Sequence, residues 1–407
     1  MKKLLSILCA AVLLATLVIT CVSCGGSSVS ADFKVGAILI GDENEGYTYA
    51  HINGIRTAAK ELGMSDDQII WKYTVPEDEK CYDAAIDLVE QGCSVIFSNS
   101  YGHQSHMKQA AQECPDVTFV AMTGDQAATS GLSNYKNAFT GVYQSRYVAG
   151  VVAGMKLAEL VADGKLTDAN YDGDNIKLGY VGAYPYAEVV SGFTAYYLGV
   201  KSVVENVTMQ VTYTNSWFDI TAEGTVAEAL AADGCVIISQ HADSTGAPAA
   251  VQALQDKGQV IYCVGYNVDM LSVAPNAALT SPTNTWAVYY KYAMETAANG
   301  GTIDTNWAKG YEADAVGITA LGSACAAGTQ EKVDEVVKGL KDGSIKVFDT
   351  SKFTVGGATL TEYLAEVDGD FAPDTNAIWD GYFHESEMRS APYFDIRIDG
   401  IVENNNN

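Results

Sequence analysis

Positive charge is the first thing this chain lacks. Its 407 residues carry 24 Lys and Arg against 50 Asp and Glu, a formal net charge of −26. The only basic residues of the leader are Lys2 and Lys3, and it has no acids, so the rest of the chain is more acidic still. Such a surface repels nucleic-acid polymers and anionic lipid. Neither is therefore expected as a partner, and membrane attachment has to come from something other than a basic patch. The acidity itself needs no further role than keeping an exported protein in solution. Catalytic signatures are missing too: there is no Walker-type phosphate loop, no GxSxG elbow and no HExxH pair. Beyond Cys24, the cysteines are Cys81, Cys93, Cys114, Cys235, Cys263 and Cys325, mostly inside apolar runs such as CVII and VIYCVG. Buried free thiols are expected. Neither their spacing nor neighbouring histidines resemble a zinc site, and no metal or cofactor is expected.

What is present begins with an export signal. Lys2 and Lys3 form a charged start, and Leu4 to Thr20 is apolar but too short and too near the terminus for a membrane span. Residues 1–23 are read as a signal peptide. Cys24 stands in a sequence that looks like a bacterial lipobox and is the expected lipidation site. Residues 24–32 then form anchor and tether, rich in small residues. Cys21 and Cys24 also match the C-x-x-C thiol motif, but no βαβ unit surrounds them.

From Phe33 onward, apolar runs of strand length alternate with amphipathic helical stretches, the grammar of a doubly wound parallel sheet. FKVGAILI (33–40), 69–75, 94–97 and 117–122 read as strands, with helices at 49–62, 84–91 and 107–113. The pattern restarts after a helix at 146–161 and a polar insertion at 163–175. Strands follow at 177–181 and 208–213, and helices at 187–203 and 287–298. Beyond Gly300 it weakens into strand-like and turn-rich pieces, a helix at 330–342 and a polar Asn tail. The length suits two domains. Counting units puts their boundary near 139–143, since composition does not mark it and no strong internal repeat is visible.

Polar, aromatic and small residues cluster just after the apolar runs, where parallel sheets hold ligands. Trp217, His241, Asp243, Asn267 and Trp286 project from the stretch 214–286, the centre of this pattern. Tyr47, Tyr101 and Tyr266 also fall at or near strand ends. Several rings converging on one crevice suggest stacking on a nucleobase or a sugar face. The lack of a basic cluster argues against a phosphorylated ligand. Asp42, Glu188, Asp219, Asp243 and Asp269 could supply a glycosidase-like acid–base pair. Such carboxylates more often bind ligand hydroxyls or cap the following helix. His241 reads as a base or, more simply, as a histidine satisfied in its loop.

Nine segments together resemble the basic membrane protein family of substrate-binding lipoproteins. They are VGAILIGDENEGYTYAHINGI, SNSYG, CPDVTFVAMTG, YQSRYVAGVVAGMKL, LGYVGAYPYAEVVSGFTAYYLGVKSV, TNSWFD, ISQHADS, VGYNVDM and LTSPTNTW. The likeness runs from Phe33 to about Trp286 and more loosely to Asp349. It implies an α/β, type I periplasmic-binding fold of two doubly wound lobes joined by three crossovers. The lobes are expected at 33–142 and 143–281, with a return to the first at 282–305 and completion of the second, with the tail, at 306–407. It also implies delivery of a purine base or nucleoside (adenine, hypoxanthine, guanine or their nucleosides) to an ABC permease and ATPase. A monomer on the extracytoplasmic face of the cell membrane is expected. Tyr47 and Trp217 fall where the family places stacking rings. Asn267 stands where it usually has a ribose-binding aspartate, and Asn284 where a lysine is common, which brings a free base forward as ligand. The expected binding residues are Asn44, Tyr47, Tyr101, Gly102, Trp217, Asp219, His241, Asp243, Asn267, Asn284 and Trp286, with none catalytic. The alternatives are a sensor of the same fold, a binder of a sugar-like ligand, and a secreted nucleosidase or glycosidase.

Overall fold

The computed structural model describes residues 29–404. The expected signal peptide, Cys24 and most of the tether lie outside the described residues. The first strand, β1 (Val35–Ile38), is buried along its whole length, as a strand covered on both faces must be. Glu45 then caps α1 (Gly46–Glu61), its carboxylate accepting the Tyr47 and Thr48 N–H groups at 2.7 and 2.8 Å. Thr48, His51, Ile52, Ile55, Ala58 and Ala59 form the helix's buried stripe. There follow β2 (Ile69–Lys72), α2 (Glu79–Glu90), β3 (Val95–Ser98), α3 (Gln104–Glu113), β4 (Thr118–Met122) and β5 (Tyr135–Thr140). The chain then enters α4 (Val142–Ala162), a short hairpin of β6 (Tyr171–Asp172) with β7 (Asn175–Gly182), and α5 (Ala187–Lys201). Next come β8 (Val207–Tyr213), α6 (Ile220–Ala232), β9 (Ile237–His241), α7 (Gly246–Asp256) and β10 (Tyr262–Val264). A Cβ on Gly150 of α4 would collide with the Tyr196 carbonyl, and one on Gly199 of α5 with the Tyr147 carbonyl. These two glycines let α4 and α5 lie backbone against backbone.

Two sheets result. Five of these strands make one, completed by β12 (Asn306–Lys309), in the order β12-β5-β4-β3-β1-β2, every pair parallel. The other runs β10-β9-β7-β8-β18, also parallel, where β18 is Ile401–Glu403; β6 lies antiparallel against β7. Between the sheets, β11 (Pro282–Asn284) pairs antiparallel with β13 (Val316–Ile318). The chain passes from one sheet to the other three times: after β5, along β11, and along the stretch into β13. Helix α8 (Trp286–Ala298) packs on α1, and α9 (Thr329–Lys341) on α4.

The return to the first sheet reaches Lys309 rather than the expected residue 305, because β12 hydrogen-bonds to β5. Residues 343–400 are largely irregular, with two-residue strands β14 (Leu364–Ala365), β15 (Thr375–Asn376), β16 (Ile378–Trp379) and β17 (Tyr382–Phe383). An aromatic cluster gives this stretch its core: Phe394 stacks on Phe348 at 4.1 Å and meets Phe383 edge-on at 4.9 Å. All six cysteines among the described residues are free thiols. No described helix is long and apolar enough to cross a membrane.

Candidate functional site

Loops from the carboxyl ends of strands in both sheets meet around a cavity of about 230 Å³. From the first sheet come Ile40, Gly41, Glu45 and Tyr47 after β1, Glu77 beyond β2, Asn99, Ser100 and Tyr101 after β3, and Thr123 after β4. The second contributes Glu188, Trp217, Phe218, Asp243 and Tyr266. Larger hollows of about 520 and 830 Å³ lie against the C-terminal segment. Only the smaller one collects strand-end loops of both sheets, which is where an α/β frame can aim side chains at a solute.

Tyr47 is held by its hydroxyl, which donates to the Asn99 carbonyl at 2.5 Å, and by an edge contact with His51, 4.6 Å between centroids. Asn99 is itself locked, accepting from the Ile40 N–H at 2.8 Å and donating to Thr48 Oγ1 at 3.2 Å. Burial, then the nearby carboxyls and phenols, raises the Tyr47 hydroxyl pKa well above normal. It is a neutral group at physiological pH. Across the cavity, Trp217 leans on Tyr184 and Tyr186, at 5.6 and 6.3 Å, and these two stack on each other at 5.1 Å. The Trp217 carbonyl accepts the Asp243 N–H at 2.7 Å, so ring and carboxyl are positioned together.

The carboxyls are unusual. Glu188, in the first turn of α5, has a side chain one-quarter exposed, and burial pushes its pKa up to about 7 against the pull of Arg146. Asp243 is raised strongly by burial and by Glu45, Glu188 and Glu223, again opposed by Arg146. Both are therefore disposed to hold a proton and to donate as well as accept. His241 lies beneath them, Nε2 at 3.4 Å from Glu188. Burial and Arg146 lower its pKa well below the usual value, so this contact is a hydrogen bond of a neutral ring rather than an ion pair.

Arg146 is the residue that sequence reasoning missed. Its guanidinium is fully buried, 3.7 Å from the centroid of the Tyr266 ring, and donates to Tyr180 Oη at 3.0 Å and to the Gln240 carbonyl at 2.5 Å. Its Nε and second terminal nitrogen find no partner among the described residues. The signal was there: Arg146 is a charge set in the largely apolar stretch YQSRYVAGVVAGMKL. Glu188, weighed among the strand-end carboxylates, and Tyr266, weighed among the strand-end rings, were not among the expected binding residues, and both line the cavity.

Of the expected binding residues, the structure brings Tyr47, Tyr101, Trp217 and Asp243 to the cavity wall. The others lie elsewhere. Asp219 caps α6, accepting the Thr221 and Ala222 N–H groups at 3.0 and 2.9 Å. Asn44 closes a turn on Asp42, and the Gly102 N–H donates to Glu77 at 2.8 Å. Trp286 is core rather than wall: it is the first residue of α8, buried, and stacked on His51 at 4.3 Å. Asn267 and Asn284 are not on the cavity wall, and their amides are engaged with each other. Asn284 donates to Asn267 Oδ1 at 3.0 Å, Asn267 donates to Asp243 Oδ1 at 2.9 Å, and Thr140 donates to Asn284 Oδ1 at 2.5 Å. Asn267 sits at φ +60°, a backbone that Asn tolerates better than most side chains.

Two parallel-sheet lobes, three passages between them and a strand-end cavity at their junction define the type I periplasmic-binding fold. A solved ABC transporter solute-binding protein from Aeropyrum pernix shares this fold, with a TM-score of 0.64 at 16% identity over 78% of this chain and 93% of that one. Residues 40–350 match the family described as ABC transporter substrate-binding protein, PnrA-like, and the chain belongs to that family. It is a binding protein, not an enzyme. A purine-binding protein of Brucella abortus is 32% identical over 267 residues, 65% of this chain and 69% of that protein. A Haloferax volcanii protein provisionally named an ABC transporter glucose-binding protein is 28% identical over 277 residues, 68% of this chain and 64% of its own.

Proposed function

We propose that this chain is the lipid-anchored extracytoplasmic receptor of an ABC importer for a purine base or nucleoside. It acts as a monomer that closes its lobes on the ligand. The observation carrying this reading is that Tyr47, in the first turn of α1, and Trp217, in the loop after β8, line one cavity from opposite sheets, and its polar groups include the protonatable carboxyls of Glu188 and Asp243. A purine offers flat faces to the rings and an edge mixing donors and acceptors to the carboxyls. The purine-binding relative in Brucella abortus supports the same class of ligand. Since Asn267 and Asn284 are tied to each other, base and nucleoside are told apart by Asp243 and Glu188 in this reading.

Calorimetric titration with adenine, hypoxanthine, guanine and their nucleosides tests it, with glucose and arabinose alongside. At least one purine should bind, and a base at least as well as its nucleoside. A nucleoside bound more than about tenfold tighter than its base, or ~1.4 kcal/mol, would mean that ribose is read. The relative named for glucose favours a second reading, because aromatic rings also stack on sugar faces. Sugar binding without purine binding would replace the first reading with the second. Loss of labelled-purine uptake on deleting the gene separates import from sensing.

A further inference from the structure

The wall of the solute cavity carries charge of one sign. Glu45, Glu77, Glu188 and Asp243 all line it, and no Lys, Arg or His is among the described residues that do. Glu45 accepts the Tyr47 and Thr48 N–H groups, and Glu77 accepts the Gly102 N–H at 2.8 Å. Those bonds fix two of the carboxyls in place without bringing a positive ion to them. Asp243 feels the crowding, since its pKa is raised first by burial and then by Glu45, Glu188 and Glu223. Arg146 opposes this field with a single charge from behind the Tyr266 ring, 3.7 Å from its centroid. The balance is negative, and low-dielectric walls focus such a field into the cleft they line.

The rings point the same way by a separate route. Besides Tyr47, Tyr101, Trp217 and Tyr266, the wall includes Phe218. A cation over an aromatic face is attracted by the ring's quadrupole, more strongly where water is excluded, and aromatic cages recognise quaternary ammonium groups in this way. A neutral purine stacks on these rings and meets the carboxyls in their protonated form, but it leaves the field unanswered. Methylation at a ring nitrogen spreads a positive charge over the same flat ring. Such a ligand meets the rings and the ionised carboxyls together.

We propose that the solute this cavity prefers is a purine carrying a positive charge, as one methylated at a ring nitrogen does, an inference that rests on the purine reading above.

Calorimetry on the full chain tests it with 1-methyladenosine, a cation at neutral pH, against its neutral isomer N6-methyladenosine. The matching free bases are compared in mildly acidic buffer, where 1-methyladenine is charged and N6-methyladenine is not. In at least one pair the cation should bind at least about tenfold tighter. That ratio should shrink as NaCl is added, because salt screens charge and leaves shape alone. It should shrink also in E188Q and in D243N, each of which removes one carboxyl from the wall. Equal or tighter binding of the neutral isomers overturns the proposal and leaves the purine reading standing. A preference unmoved by salt and by both substitutions would be one of shape, and overturns it too. Choline bound while no purine binds would overturn the purine reading and the proposal together.

Discussion

Asn267 donates to Asp243 at 2.9 Å, the first link of a chain of hydrogen bonds running from the cavity wall to the passages between the sheets. Behind Asn267 stands Asn284 of β11, and behind that Thr140 at the end of β5, so the chain of bonds reaches two of the three passages between the sheets. Thr140, Asn267 and Asn284 are all buried. Asn284→Ala leaves the Thr140 hydroxyl and Asn267 Oδ1 without partners and should cost about 1–3 kcal/mol of stability. Urea denaturation measures it, and parental stability would mean that these bonds are not structural.

Trp217→Ala should weaken purine binding about ten- to a hundredfold, since stacking on an aromatic is worth ~1–3 kcal/mol per base. The ring is only half-buried, so little cavity is left and the ligand-free melting temperature should hold. Tryptophan fluorescence should be quenched by purine in the parent, while Trp217→Phe binds without that quench. A fall in melting temperature at constant affinity would make Trp217 a packing residue instead.

Glu188 makes stability depend on pH in a definite direction. Its carboxyl is raised from 4.5 to about 7, so folding favours the protonated form. That contribution is complete below pH 4.5 and is lost as the pH climbs to about 7. Glu188→Gln stays neutral throughout, so its stability relative to the parent should grow between pH 4.5 and 7 and then level off. Taking the difference between the two proteins cancels the other acids. Arg146→Met should move the Glu188 midpoint upward, because the guanidinium holds it down. A flat difference across that range would place the carboxyl in water.

Cys24→Ser should leave the protein unprocessed or release it from the membrane fraction. Metabolic labelling with a fatty acid reads this directly, and unchanged labelling would move the anchor to another residue.

Much of the fold was legible because buried parallel strands are continuous apolar runs, as in β1, β3 and β9, and short polar clusters mark where they end. Strand β5 was not, since Tyr-Lys-Asn-Ala-Phe-Thr carries polar residues that find buried partners only in the folded chain, as Asn137 does with the Ala127 N–H at 2.6 Å. Position after a strand pointed to Tyr47, Tyr101, Trp217 and Asp243, and these four stand on the cavity wall. The same rule overreached at Asp219 and Trp286, because the first residues of the next helix also follow a strand and serve as cap or core. Asn267 and Asn284 look alike in sequence whether they face a ligand or each other. Arg146 acts from a helix across the sheet, at a distance that no local pattern encodes.

The last strand of the second sheet has a consequence for how the molecule is made. Residues 401–403 of β18 pair with 209–211 of β8, and the Thr208 hydroxyl donates to the Gly400 carbonyl, 192 positions away. Closing so long a loop is entropically costly before any contact rewards it. Strands β7 to β10 can assemble while the ribosome or the export channel still holds the C-terminal third of the chain. Their outer edge at β8 stays bare until the far end arrives, and a bare strand edge is open to pairing with another chain.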